Sequence, residues 1–236
     1  MHYADLDKNL RTRLRAVVSP DRWDTCIAGL AARKPQTFRL NRLRTTADAG
    51  ESACREADIR IESVEDIPDA YALADPRDIA RLRELPIYTD GHIYSQGLSS
   101  QIPAHCLDLT PGMCVLDATA APGAKTTQIA SLLGGTGNID ACERDTIRFE
   151  KLVHTVRQQG AETVHCHKAD ARDFVADLPS DTRYNRILLD PPCSAMGRIW
   201  LANEKTYGYW KSDLPSRHAR TQSSLLDACL SWLAPG

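Results

Sequence analysis

The 236-residue sequence lacks the features that mark several protein classes. No apolar run approaches the about 18 residues that a membrane-spanning helix needs. No early apolar run resembles a signal peptide, so we expect a cytoplasmic protein. Eight cysteines include no CxxC pair, which excludes the common zinc and disulfide frameworks. We therefore expect Cys114, Cys142 and Cys166, which lie in apolar runs, to be buried free thiols.

Positively charged residues are not in excess over the whole chain, but they are concentrated near its N-terminus. The net charge is −2, but residues 1–45 hold ten Lys or Arg against four acids, a balance of +6. Residues 46–90 hold five basic against twelve acidic side chains, a balance of −7. The basic opening suits a phosphate backbone. It is equally compatible with the solvated face of a helix, because LDKNLRTRLRAVV carries its apolar residues near helical spacing.

Apolar periodicity changes along the chain. It predicts helices over residues 5–18 and 22–32, with TFRLNRL as a candidate short strand. From about residue 112 strands alternate with helices. The predicted strands are MCVLDA, NIDACE, TVHCHKAD and NRILLD, and the predicted helices are KTTQIASLL, TIRFEKLVHTVRQQG and SRHARTQSSLLDACLSWL. This alternation predicts an α/β fold with a doubly wound parallel sheet, preceded by a small α+β N-terminal region.

The segment DATAAPGAKT, Asp117 to Thr126, follows the first predicted strand of this sheet. Ligands of doubly wound sheets bind beyond the carboxyl ends of the strands. The segment matches neither GxxxxGK[ST] nor GxGxxG. Its small residues let the backbone approach a ligand, and a helix N-terminus with Lys125 nearby favours a carboxylate over a triphosphate.

Acidic residues end the next three predicted strands. Glu143 is suited to a ribose diol, Asp170 to the amino group of adenine, and Asp190 precedes the PPCS turn. Each acid alone is also compatible with a helix N-cap. Together with the loop they predict a site for a nucleoside with a charged amino-acid tail, which describes S-adenosylmethionine.

Two motifs resemble those of a known family. VLDATAAPGAKTTQIASLL resembles the AAPGGKT signature of the Sun/RsmB-type (Nop-type) RNA cytosine-5 methyltransferases, with Ala124 in place of the second glycine. RILLDPPCSAMG resembles their DAPCSGxG motif, with Pro191 and Ala195 as departures. KPQTFRLNRLRTT and YSQGLSSQIPAHCLDLTPG extend the resemblance over most of the chain. It implies a Rossmann-like methyltransferase fold, S-adenosylmethionine as cofactor, and ribosomal or transfer RNA as partner.

The resemblance also implies roles for individual residues. The implied cofactor contacts are Thr119, Ala120, Ala121, Pro122, Gly123, Ala124, Lys125, Glu143, Asp170 and Asp190. Cys193 and Asp190 are the catalytic candidates. Residues 1–90 are expected to form an RNA-facing N-terminal region and residues 91–236 the methyltransferase domain. The candidate RNA contacts are Arg39, Arg42, Arg44, Arg198 and Lys211.

The chemistry of this family explains a thiol at Cys193. Carbon 5 of cytosine becomes nucleophilic when a thiolate adds to carbon 6, and the base must leave its stack to meet the thiol. In the family a second cysteine, in a TCS motif, attacks, and the cysteine of the PCS motif helps to release the product. No TC dipeptide follows residue 193. We therefore expect a fragment or an interrupted frame of an enzyme, with an incomplete sheet whose fourth strand lies at an edge. The other possibility is that Cys193 itself attacks.

Two alternatives to this function stay open. DPPC is similar to the DPP[YFW] of amino-group methyltransferases, although Cys193 does not supply the aromatic ring. A non-catalytic RNA-binding relative would use residues 1–45. Four aromatic residues after the PCS turn either stack on RNA bases or, as we prefer, anchor a loop: Trp200, Tyr207, Tyr209 and Trp210. His165 and His167 lack a further ligand, so we expect no metal site; the sequence gives no oligomeric state.

Overall fold

The computed structural model describes Tyr3 and residues 6–235. Eight strands lie in this part of the chain: β1 Thr37–Leu40, β2 Ile61–Ser63, β3 Ala70–Leu73, β4 Ile93–Ser95, β5 Cys114–Asp117, β6 Asn138–Cys142, β7 Val164–His167 and β8 Arg186–Leu188. The helices are α1 Lys8–Val17, α2 Trp23–Ala31, α3 Ala47–Glu56, α4 Ile79–Glu84, α5 Pro86–Thr89, α6 Leu98–His105, α7 Ala124–Leu132, α8 Thr146–Gln159, α9 Ala171–Ala176 and α10 Leu214–Leu230.

The chain forms two compact units. Met1–Lys34 and Pro192–Ser223 form one, called the basic unit, and Pro35–Pro191 with Ser224–Gly236 form the other, called the sheet unit. Helix α10 contributes residues to both. The chain therefore does not divide at the predicted boundary near residue 90. That boundary separates β1 from β4, which pair with each other in one sheet.

The parallel sheet of the sheet unit has the strand order β7-β6-β5-β8. The chain leaves β5 toward β6 on one side and later returns to place β8 on the other, which makes β5 the switch point of a doubly wound sheet. Val115 and Leu116 of β5 are fully buried, because helices cover both faces of such a sheet. The predicted α/β architecture and its four strands are confirmed within one or two residues at each end, except that β7 ends at His167, three residues before the predicted end.

Strand β8 is the outer strand of this sheet in the described residues, as expected. A parallel bridge between Tyr184 and Leu233 adds one further pairing near it. Cys229, on the last helix, is 4% exposed and packs in the core on that face of the sheet with Leu116 and Leu225. No helix of the described residues is long and apolar enough to cross a membrane.

A second sheet, antiparallel with the order β2-β3-β1-β4, precedes the parallel one. The candidate strand TFRLNRL ends as β1 at Leu40, because Asn41 turns the chain. The Asn41 amide donates to the carbonyls of Gly91 and Gln159, and its oxygen accepts from the backbone N–H of Leu43. One side chain thus ties β1 to the end of α8 and to the start of β4.

The basic unit has its own hydrophobic core. Helix α1 begins after Asp7, whose carboxylate accepts from the backbone N–H groups of Asn9 and Leu10. Its apolar face buries Leu10 and Leu14. The predicted helices 5–18 and 22–32 are present as α1 and α2; α1 begins at Lys8, three residues after the predicted start, and residue 5 lies outside the described residues. The buried members of this core are Leu6, Leu10, Leu14, Ile199, Leu201, Tyr207 and Trp210.

Candidate functional site

The loop between β5 and α7 turns sharply at Gly123. This residue is the N-cap of α7 and has φ +106°. Residues that carry a Cβ atom rarely adopt this backbone conformation. A Cβ atom there would lie 3.1 Å from the side chain of Thr155. Around it Thr119 is half-buried and Pro122 is exposed. The loop therefore brings main-chain groups to the carboxyl end of β5 with little side-chain bulk.

Asp117, at the end of β5, has a fully buried carboxyl group beneath this loop. The hydroxyl of Thr126, in the first turn of α7, donates to it across 2.7 Å. Burial raises the pKa of Asp117 to about 6, against the lowering effect of the Thr126 hydroxyl. The sequence did not predict that the Asp117 carboxyl group is buried and bonded to Thr126; there Asp117 marked only the start of the loop. Its position at a strand end, before small residues, was the available signal.

Lys125 and Asp190 join the ends of two neighbouring strands. The Lys125 ammonium lies 2.6 Å from the Asp190 carboxylate. The backbone N–H of Asp190 donates to the Thr119 hydroxyl at 3.2 Å. Three of the predicted site residues are thus brought together where β5 and β8 end.

Glu143 connects the end of β6 to the same loop through a residue that was not predicted from the sequence. Its carboxylate, 4% exposed, accepts from the backbone N–H of Asp145 and lies 3.1 Å from the Arg148 guanidinium. Arg148 also donates to the carbonyl of Ala121 at 2.7 Å. A cation in the first turn of a helix opposes the helix dipole, and Arg148 in the first turn of α8 was the signal in the sequence.

Asp170 caps α9 and is heavily paired. Its carboxylate accepts from the backbone N–H of Arg172 and forms two hydrogen bonds, of 2.8 and 2.7 Å, with the Arg172 guanidinium. Arg144 lies 3.4 Å away. These bonds, chiefly the one from the Arg172 side chain, lower the pKa of Asp170. The capping role that the sequence left open is present; a contact with adenine stays a prediction.

Cys193 belongs to the basic unit and is exposed. Ala195, with φ +53°, donates its backbone N–H to the Cys193 Sγ at 3.3 Å, so the turn holds the sulfur in a defined direction. The interior thiols differ. Burial raises the pKa of Cys142, and it raises the pKa of Cys229 to about 11. Cys142 is buried as expected, whereas Cys114 and Cys166 are half-buried; all three are free thiols.

The five candidate RNA contacts differ in their exposure to solvent. Arg39 is 2% exposed, so the prediction that it contacts RNA is wrong: Phe38 and Leu40 are buried beside it and its guanidinium lies in the interior. Arg42 is exposed and forms an ion pair with Asp69. The other three candidates are exposed: Arg44, Arg198 and Lys211.

The aromatic residues after the PCS turn mostly serve the fold. Tyr207 and Trp210 are 8% and 9% exposed and pack in the core of the basic unit, which confirms the anchoring role for these two. Tyr209 is 48% exposed. His167 does not join His165 in a metal site; its Nε2 lies 2.6 Å from Asp140, and the described residues contain no group of three metal-ligating side chains.

Comparison with known proteins gives the family. The family described as 16S rRNA methyltransferase RsmB/F matches residues 104–236, more than half of the chain. The chain belongs to this family. Its members are S-adenosylmethionine-dependent RNA cytosine-C5 methyltransferases. The match includes the loop, the strand ends and the PCS turn described above.

Individual relatives and structures agree with this family. Ribosomal RNA small subunit methyltransferase B of Pseudomonas putida is 32% identical over 219 residues, which are 92% of this chain and 48% of the relative. The 28S rRNA (cytosine-C(5))-methyltransferase of Mus musculus is 41% identical over 121 residues, 50% of this chain and 25% of the relative. The chain thus spans about half or less of these relatives.

The fold is also that of a solved family structure. NSun6 from Pyrococcus horikoshii, crystallised with SFG, superposes with a TM-score of 0.80 at 19% identity. The superposition covers 98% of this chain and 81% of that one. At this identity the likeness establishes the fold alone.

Proposed function

We propose that this chain binds S-adenosylmethionine at the β5–α7 loop and acts in cytosine-5 methylation of ribosomal or transfer RNA. One observation carries the proposal: the loop, Lys125, Glu143 and Asp190 meet at the carboxyl edge of the parallel sheet. The relatives that match are named for rRNA and tRNA cytosine-C5 methylation, which favours this reaction over methylation of an amino group.

The residues present fit the cofactor. The side chains of Thr119–Ala124 are small, and Gly123 lies so near Thr155 that a Cβ atom would be 3.1 Å from its side chain. The main-chain groups of this segment would hold the amino-acid tail, while Glu143, held by Arg148, would accept from the ribose diol. Asp170 would face the adenine amino group. S-adenosylmethionine, when bound, supplies an electrophilic methyl group. NSun6 was solved with SFG, an analogue of this cofactor.

Cys193 is the proposed thiol for the cytosine ring. A thiolate that adds to carbon 6 leaves an enamine whose carbon 5 is nucleophilic. After methylation, loss of the carbon-5 proton allows the thiolate to leave and restores the aromatic ring. Asp190, three residues before Cys193, would accept from the amino group of the flipped base. The same thiol serves either to attack or to help release the product.

The basic unit is the proposed RNA-facing part of the chain. It holds twelve Lys and Arg against six Asp and Glu, a balance of +6. Of these cations all but Arg11 are exposed. Arg198 and Lys211 follow Cys193 within this unit, so that phosphate contacts and the thiol share one compact body. Phosphate neutralisation by such side chains supplies most of the affinity for RNA.

The test is methyl transfer to RNA with identification of the product. The purified chain is incubated with ribosomal or transfer RNA and S-adenosylmethionine, and nucleosides are analysed by mass spectrometry. We expect 5-methylcytidine, and a strong reduction in Asp190→Asn. Methyl groups on adenine N6, or RNA binding without any methylated nucleoside, would contradict the proposal.

The role of Cys193 is read from a covalent complex. RNA carrying 5-fluorocytosine traps an adduct with the attacking thiol that survives denaturation. If Cys193 attacks, Cys193→Ala loses this adduct. If another thiol of the chain attacks, Cys193→Ala keeps the adduct. If neither chain forms an adduct, Cys193 is not the attacking thiol and the reaction needs a TCS cysteine, which does not follow residue 193 here. Cys106→Ala, which removes another exposed thiol, is the matched control.

A further inference from the structure

Arg39 is a buried cation of the sheet unit with no assigned role. It lies on β1, is 2% exposed, and its guanidinium donates to the Gln96 side-chain oxygen at 2.9 Å. Its Nη1 has no hydrogen-bond partner in the described residues. Tyr94 lies under the guanidinium with its ring centre 5.3 Å away. No carboxylate forms an ion pair with it in this part of the chain.

The guanidinium contacts the first turn of α7, directly behind the proposed cofactor loop. Its Nη2 donates to the Thr127 hydroxyl at 2.8 Å and to the carbonyl of Ala124 at 3.3 Å. The Thr127 hydroxyl in turn donates to the carbonyl of Gly123 at 2.8 Å. Arg39 therefore acts on the same turn that ends the loop.

This position is unfavourable for a cation in two ways. Burial without a carboxylate partner removes hydration from the charge, and it lowers the pKa of Arg39 to about 10. The N-terminus of α7 also carries the positive end of the helix dipole, which repels a cation. Such a cost is recovered when an anion binds nearby, since the same buried charge then attracts it in a weakly screened environment.

We propose that Arg39 is a positioning residue whose buried charge favours the carboxylate of the cofactor's amino-acid tail at the β5–α7 loop. The inference rests on the proposed function, because it assumes that the loop binds that tail. The two other cations at the loop both have carboxylate partners: Lys125 lies 2.6 Å from Asp190, and Arg148 lies 3.1 Å from Glu143. Arg39 forms no ion pair in the described residues, although the charge of Asp69 acts on it from a distance, and it acts through the α7 turn without touching the ligand.

The experiment compares two ligands that differ in the tail. S-adenosylhomocysteine carries the amino-acid carboxylate, and 5′-methylthioadenosine carries the same nucleoside without it. Both are titrated by calorimetry into the unsubstituted chain, Arg39→Met, Arg39→Lys and the control Arg60→Met, which removes an exposed arginine of the same unit. We expect Arg39→Met to weaken the binding of S-adenosylhomocysteine about tenfold, equivalent to about 1.4 kcal/mol, and to change the binding of 5′-methylthioadenosine less than about twofold.

Arg39→Lys keeps the charge and should recover most of the affinity for S-adenosylhomocysteine. Equal weakening of both ligands in Arg39→Met would mean that Arg39 only supports the fold, and unchanged binding of both would mean that its charge has no effect; either overturns the inference. Should Arg39→Met lack the native circular dichroism spectrum, Arg39→Gln replaces it, because an amide can still bond to Thr127. If the unsubstituted chain binds neither ligand, the proposed function itself fails.

Discussion

The basic unit and the sheet unit treat charge in opposite ways. The basic unit has a balance of +6, whereas the sheet unit, with 17 basic against 25 acidic side chains, has −8. In the described residues Arg217 and Asp213 form the ion pair of the basic unit, and the other ion pairs lie in the sheet unit. The basic unit leaves most of its cations solvated, whereas in the sheet unit eight of the 17 Lys and Arg form ion pairs with carboxylates and Arg39 is buried.

This difference in charge matches the two kinds of ligand in the proposed function, RNA and a small cofactor. Solvated cations without partners can exchange counterions with a long polyanion at little cost, and they need no fixed geometry. A small ligand with one carboxylate and a ribose needs few polar groups that are already oriented. The pairs Lys125–Asp190 and Arg148–Glu143 supply such orientation.

Charge reversal in the basic unit should have the largest effect. We expect the triple variant Arg198→Glu, Lys205→Glu, Lys211→Glu to weaken RNA binding roughly hundredfold, because three exposed phosphate contacts become repulsive. Fluorescence anisotropy with labelled RNA measures this. The matched triple variant in the sheet unit, Arg55→Glu, Arg60→Glu, Arg83→Glu, should change affinity less than about threefold. Equal losses in both would abolish the distinction between the units.

Asp117 should make the stability of the sheet unit depend on pH. Its pKa is raised to about 6 by burial, so between about pH 4 and 6 the folded chain binds more protons than the unfolded one and stability falls as pH rises. Relative to Asp117→Asn, the unsubstituted chain should lose about 2 kcal/mol between pH 4 and 7. Urea unfolding at several pH values measures this difference. Thr126→Val removes the hydroxyl that lowers this pKa, so the pH range over which stability falls should move to higher pH. If that range does not move, Asp117 is not the group responsible.

Substituting alanine for two glycines, one in each unit, should change the stability of the chain in opposite directions. Gly123→Ala should destabilise the chain by about 1 to 2 kcal/mol, because φ is +106° and the new Cβ meets Thr155. Gly29 lies in α2, and a methyl group added there would have no neighbouring atom within 4 Å, so Gly29→Ala should stabilise the chain by up to about 1 kcal/mol. Thermal unfolding of both variants tests the pair, and a shared sign would contradict it.

The smallest expected effect is that of salt, which should weaken the binding of RNA more than the binding of S-adenosylhomocysteine. Between 50 and 200 mM salt, RNA affinity should fall at least about tenfold, whereas the affinity for S-adenosylhomocysteine should change less than about twofold. Binding titrations at three salt concentrations measure both slopes. A steep slope for the small ligand would indicate that its carboxylate is held by solvated cations instead of the loop.

Much of the parallel sheet was predictable because its strands are short apolar runs that end in acids. The antiparallel sheet was not, apart from β1: β2 and β4 have three residues each, too few for an alternating pattern to stand out. The packing of residues 192–223 with residues 6–34 was not predicted either, since it joins parts of the chain that are far apart in sequence.

At the candidate site, the positions of charged residues in the sequence did not predict which of them are exposed. Arg39 and Arg42 are three residues apart and were given one role, yet one is buried against α7 and the other is exposed. Sequence spacing predicted the acids at the strand ends, because every parallel strand delivers its last residue to one edge. It did not predict their partners: Arg148 and Arg172 depend on side-chain directions that only the packed helices define.

The eight thiols of the chain also differ in their accessibility to reagents. Cys193 and Cys106 are exposed, whereas Cys54, Cys142 and Cys229 are buried, with pKa values raised by burial. Electrophiles react with thiolates, so a mild alkylating agent would modify the exposed pair first and leave the interior intact. In a chain carrying Cys106→Ser, a fluorophore or a photocrosslinker could then be attached at the PCS turn and used to report which nucleotides come near it.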